Sequence, residues 1–139
     1  MKRVAALGLD VGRKRMGVAG CDGIGLIATG LTTIYRTSFT EDLRQLQEII
    51  QTREVNILVV GLPYTLDGNI GSQAKKVQKF GDRLSRILEL PIEYVDERLT
   101  SVEAEARLKA SKKFSTRDKG AIDREAAAII LQQWLDMRS

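Results

Sequence analysis

Three places in the chain set a carboxylate where an apolar run would otherwise continue. Asp10 ends the run Val4 to Leu9 within GLDVGRKRMGVAG (8–20), Asp96 and Glu97 end PIEYVDE (91–97), and Asp123 sits between Ile122 and Ala126-Ala127-Ala128. Burying an ionised carboxylate is costly unless a cation or hydrogen bonds compensate. Several brought together repel and raise one another's pKa. A divalent cation relieves both problems, and Mg²⁺ or Mn²⁺ takes oxygen ligands. Taken singly, each acid has a plainer account. Asp10 suits a turn, Asp96-Glu97 suits a strand-end ion pair through Arg98, and Asp123 suits a helix-surface pair with Lys119. Only their conjunction points to a metal site.

The rest of the composition narrows the chemistry. The chain has no histidine and a single cysteine, Cys21. Ser-His and Cys-His nucleophiles are therefore excluded, as are an internal disulfide and a cysteine-held zinc. Cys21 reads as a small buried residue after a strand. Hydrolysis here must use carboxylates, lysine, tyrosine or a metal-bound water. The net charge of +4 is compatible with nucleic acid. Its distribution is more telling: Arg13-Lys14-Arg15 follow Asp10 directly, and cations crowd the segment from Arg107 to Arg124.

These side chains need a frame. At 139 residues the chain fits one domain, 1–139, with a core able to fold alone. No apolar stretch approaches the ~18–20 residues of a membrane span, and the apolar run near the start is too short for a signal peptide. A cytoplasmic location with no membrane partner is expected. Strands are expected at 3–10, 15–21 and 24–35, with Asp22-Gly23 as a turn signal. Ser38 and Glu41 then form a capping-box pattern, and Phe39, Leu43, Leu46 and Ile50 recur at helical spacing to about Arg53. NILVVGLP (56–63) reads as a strand buried on both faces. Ser72 is placed to cap a helix with Val77, Phe80, Leu84 and Leu88 inward, followed by a strand at 91–97. Thr100 with Glu103 opens a helix to about Ala110, 111–120 reads as a basic loop, and a last helix runs from Asp118 or Lys119 to Met137. This order implies an α/β fold: a mixed five-stranded sheet, three strands antiparallel and two parallel, with helices on both faces.

The ordered set GLDVGRKRMGVA, VVGLP, Asp67-Gly68, YVDERLTS and KGAIDREAAAIILQ resembles the YqgF family over almost the whole chain. Members of that family are described as RuvC-like Holliday junction resolvases or as pre-16S rRNA nucleases. Met16 stands where isoleucine is usual and Ser101 where threonine is commoner, both mild departures. The resemblance implies a ribonuclease H-like fold in which Asp10, Glu97 and Asp123 converge as catalytic residues and ligands to Mg²⁺ or Mn²⁺, as two ions, with Asp96 the alternative to Glu97. It implies a metal-dependent endonuclease acting on structured RNA or branched DNA, with ribosomal precursor particles as partners and a monomer or homodimer as the working unit.

Around that site, Gly8 and Gly12 would admit backbone and phosphate, Arg98 would steady the neighbouring carboxylates, and Thr100 would cap the following helix. Arg13, Lys14, Arg15, Lys112, Lys113, Arg117 and Lys119 are the expected nucleic-acid contacts, with Phe114 placed to stack on a base. Two other functions use the same residues. A non-catalytic RNA- or ribosome-binding assembly factor would keep the acids for folding or weak metal binding. Asp-Val-Gly also resembles the first phosphate-binding loop of sugar kinases and actin-like ATPases, although those enzymes close two such domains over the nucleotide.

Overall fold

A computed structural model describes residues 3–64, 69–97, 106 and 118–138. In chain order the elements are β1 (Ala6–Val11), β2 (Arg15–Cys21), β3 (Ala28–Tyr35), α1 (Phe39–Arg53), β4 (Ile57–Leu62), α2 (Ser72–Leu88), β5 (Ile92–Asp96) and α3 (Lys119–Arg138). They build one sheet in the order β3-β2-β1-β4-β5. β1–β2 and β2–β3 pair antiparallel, whereas β1–β4 and β4–β5 pair parallel. The expected mixed sheet, three antiparallel strands followed by two parallel ones, is what forms. Among the described residues no helix is long and apolar enough to cross a membrane.

Strand alternation sorts side chains onto two faces. Leu7, Leu9 and Val11 of β1, Met16 and Val18 of β2, and Leu58, Val60 and Leu62 of β4 pack with Leu46 of α1 and with Val77 and Leu84 of α2. On the other face Ala6, Ala19, Cys21, Val59 and Val95 pack with Ala127, Ile130, Leu131 and Trp134 of α3. Cys21 is buried there, as its sequence setting suggested.

The second face is built from small residues so that α3 can lie close. A Cβ added at Gly8 would come within 2.8 Å of the Leu131 Cβ, and one at Gly17 within 1.9 Å of the Asp123 carbonyl oxygen. Gly8 therefore admits the close approach of the α3 backbone, as expected of it. The start of α3 is pinned from two sides. The Thr33 hydroxyl donates to the Gly120 carbonyl at 2.6 Å, and Asp118 Oδ1 accepts from the Ala121 N–H at 2.9 Å as an N-terminal cap.

The structure moves several expected boundaries. β3 begins at Ala28 rather than residue 24, because Asp22 Oδ1 accepts the N–H groups of Leu26 and Ile27 at 2.8 and 3.2 Å and Gly25 takes φ +74°. That side chain closes a loop which the apolar pattern of IGLI conceals. β1 likewise begins at Ala6 and not at residue 3. Ser38 does cap α1, accepting from the Glu41 N–H at 3.2 Å, but the Glu41 carboxylate turns to Arg44 instead of closing the box. Ser72 is the first residue of α2, and the capping position belongs to Gly71, which makes no side-chain cap bond. Of the expected 100–110 helix only Ala106 is described, as helical. Arg98, Thr100, Lys112, Lys113, Phe114 and Arg117 lie outside the described residues.

Candidate active site

Asp10 and Glu97 come together across the sheet. Asp10 is the fifth residue of β1, on the face that meets α3, in line with Ala6 and Gly8. Glu97 follows β5 directly and is anchored by its own N–H, which donates to the Leu62 carbonyl at 3.1 Å. β4 lies between these two strands, so the Glu97 side chain must cross it to reach Asp10. Gly61 of β4 makes that crossing possible: a Cβ there would sit 2.7 Å from Glu97 Oε2 and 2.5 Å from Ile130 Cδ1. Glu97 and Asp10 are joined by a side-chain hydrogen bond. One of the two carboxyls must carry a proton to donate it.

The Asp10 carboxyl is pushed above the usual carboxylate range, and that of Glu97 up to about 10. For Asp10 the main cause is burial, opposed by the hydrogen bond from Glu97 and reinforced by the charge of Asp123. For Glu97 burial again leads, followed by the charge of Asp10, their shared hydrogen bond and the charge of Asp96. The pair behaves as one coupled unit.

The other expected acids sit differently. Asp96 is exposed, on the strand face of Ile92 and Tyr94, and acts on Glu97 only through its charge. Asp123, in the second turn of α3, is close enough to raise Asp10, but its Oδ2 accepts from Arg15 Nε at 2.6 Å. Arg15, not Lys119, is thus its partner. Among the described residues no three such side chains converge as ligands to one ion. Two acids face each other, and the third is held beside them by a cation. The donors are all oxygen, with like charges crowded in a poorly solvated place, which suits a hard divalent cation.

The basic residues ring this site unevenly. Arg13 and Lys14 are exposed at the β1–β2 turn, which is closed by the Gly12 N–H donating to the Arg15 carbonyl at 2.9 Å. Lys119 is exposed at the start of α3. Gly61 was missed as a site residue, since in VVGLP it looks like the end of a strand. Its signal lies in the pairing of β4 with β5, which a linear reading does not contain.

The family model RuvX, Holliday junction resolvase, matches residues 4–137. The chain belongs to that family. A protein of Rippkaea orientalis named "Putative pre-16S rRNA nuclease" is 70% identical over 138 residues, covering 99% of each chain. A protein of the same name from Synechocystis sp. is 67% identical over 137 residues, covering 99% of this chain and 90% of the other. Among solved structures, RuvC of Thermus thermophilus in complex with Holliday junction substrate matches with TM-score 0.60 at 13% identity, over 97% of this chain and 95% of that one. The yeast mitochondrial Holliday junction resolvase Ydc2 matches with TM-score 0.59 at 10% identity, over 96% and 78%. This RuvX family member therefore has the RuvC-like, ribonuclease H-like fold that its motifs implied.

Proposed function

We propose that the chain is a divalent-metal-dependent endonuclease that hydrolyses phosphodiester bonds in structured nucleic acid, processing the 5′ end of pre-16S rRNA, resolving four-way DNA junctions, or both. The observation that carries this reading is the Asp10–Glu97 pair, two carboxyls reaching each other over a glycine. The RNA substrate is suggested by the name of the 70% identical relative, and the DNA substrate by the description of the family.

In this reading Asp10, Glu97 and Asp123 hold Mg²⁺ or Mn²⁺, two ions in the full complex, with Asp96 the alternative to Glu97. When bound, the ions supply Lewis acidity toward a phosphoryl oxygen and help a water to ionise, in a chain with no imidazole for that task. The protein residues position the rest. Asp10 and Glu97 would hold a cation as ionised oxygen ligands, with the proton they share lost to solvent. Arg15 keeps Asp123 in place beside them. Arg13, Lys14, Lys112, Lys113, Arg117 and Lys119 contact the phosphate backbone and orient the strand for in-line attack.

The test is a panel of a four-way DNA junction, duplex DNA and precursor 16S rRNA fragments, each with Mg²⁺ and with Mn²⁺. Asp10→Asn and Asp123→Asn should lower cleavage about a thousandfold, the equivalent of several kcal/mol of transition-state stabilisation. Both variants should keep their circular dichroism spectrum. Full activity in both would sink the carboxylate mechanism. Binding without cleavage in either metal would mark a non-catalytic RNA-binding factor instead.

A further inference from the structure

The hairpin that follows Asp10 leads to a basic groove on the opposite side of β1 from α3. Val11, Gly12, Arg13, Arg36, Gln73, Lys76, Val77 and Phe80 line a cavity of about 160 Å³. A wider one of about 410 Å³ continues from it past Arg13 and Arg36 to Phe39 and Arg83. Lys76, Arg13, Arg36 and Arg83 thus form a track that passes over the end of β1.

Two features separate this track from an ordinary charged surface. First, its guanidinium groups are set in place. The Arg36 guanidinium lies 4.6 Å from the Phe80 ring centroid, Phe80 meets Phe39 edge-on at 5.9 Å, and the Arg83 guanidinium lies 3.7 Å from the Phe39 centroid. Arg36 also donates to the Gly12 carbonyl at 2.5 Å, which ties the stack to the hairpin beside the site. A guanidinium lying on a ring keeps its in-plane N–H donors at the rim, where phosphate oxygens bind. Second, among the described residues three of the four cations lack a counter-charge. The one acid in the lining, Asp42, is buried, 3.6 Å from Arg36 Nε, and accepts the Thr37 N–H. Arg13, Lys76 and Arg83 make no hydrogen bond or ion pair with another described residue.

We propose that this groove is a second binding site for the nucleic-acid backbone, gripping phosphates that flank the cleaved bond on the side away from α3. The proposal rests on the nuclease reading above. Gly12 is two residues from Asp10, at most about 7 Å along the chain, the reach of one or two nucleotides of a strand. A strand leaving the carboxylates over the hairpin tip therefore enters the groove at once. Arginines already cover Phe39 and Phe80, so the groove reads phosphate without stacking bases, and its grip is independent of sequence.

The experiment measures binding of a fluorescein-labelled four-way DNA junction and a hairpin RNA in EDTA, where cleavage does not intervene, from 50 to 200 mM salt. Lys76→Ala with Arg83→Ala should weaken binding about tenfold and lower the slope of log K against log salt by about two, one for each phosphate that is no longer neutralised. Lys79→Ala, on the same helix but outside the lining of the groove, should change the slope by less than about half a unit. Thermal melting checks that each variant is folded. An unchanged slope in the folded double variant overturns the groove, as does a loss no larger than that of Lys79→Ala. Metal-dependent cleavage by that variant would then leave the nuclease reading standing. A wild-type chain that binds neither probe overturns both.

Discussion

On the face that meets α1 and α2, β1 presents Leu7, Leu9 and Val11; on the face that meets α3 it presents Ala6, Gly8 and Asp10. β2 repeats the contrast with Met16 and Val18 against Arg15, Gly17 and Ala19. One face is filled with branched side chains and gains its stability from their volume. The other gives up volume so that a helix can lie close and bring Asp123 beside Asp10. The division sets the paired carboxylates on the closely packed face and the larger side chains of these strands on the other. A single-residue change can therefore damage one while sparing the other.

The sharpest way to break this contrast is to add a methyl group on the thin face and remove bulk on the thick one. Gly17→Ala puts a Cβ against the backbone of Asp123, so α3 must shift. It should cost about 3 kcal/mol, as overpacking does, and should remove most cleavage activity from the molecules that still fold. Leu84→Ala should cost a similar ~3 kcal/mol through the cavity it leaves, yet keep activity per folded molecule. Urea unfolding and a cleavage assay on the same samples separate the two. Equal activity in both variants would erase the distinction between the faces.

A smaller effect is expected at Gly61. Gly61→Ala crowds Glu97 Oε2 and Ile130 together, so stability should fall by about 1–2 kcal/mol. Mn²⁺ affinity, read by calorimetry, should fall about tenfold, a loss near 1.4 kcal/mol. An Mn²⁺ affinity equal to wild type would show that Glu97 reaches Asp10 without needing that gap.

The mildest test is pH. The folded protein holds Asp10 and Glu97 above their unfolded values. The native state thus binds more protons than the unfolded chain once pH passes the ordinary carboxylate range. Their contribution is fully present below that range and is lost as pH rises toward the raised folded values. Melting temperature in EDTA should accordingly decline between pH 5 and pH 9, and Glu97→Gln should flatten the decline. A wild-type curve already flat over that interval would mean that the pair is solvated in solution.

Much of this arrangement was legible in the sequence because alternation and helical period are local. The five strands, α1, α2 and α3 could be placed from apolar spacing, and the interruption of that spacing by Asp10, Glu97 and Asp123 marked the candidate site. Relations between strands were not legible. That Glu97 rather than Asp96 faces Asp10 depends on Val95, and hence Glu97, lying on the face that meets α3, and the role of Gly61 depends on β4 lying between the two acids. The late start of β3 was hidden because Asp22-Gly23 reads as a tight turn, whereas the Asp22 side chain holds the loop as far as Ile27. Arg36, Lys76 and Arg83 were hidden for a related reason: they belong to a loop and to α2, and only tertiary packing aligns them with the hairpin.

Trp134 lies three turns along α3 from Asp123, its indole N–H donating to Glu93 Oε2 at 3.0 Å and its ring beneath the Arg138 guanidinium at 4.6 Å. It is the only tryptophan in the chain. The helix that delivers the third carboxylate therefore carries a built-in optical label, whose emission reports from the indole pocket whether α3 is seated against β5.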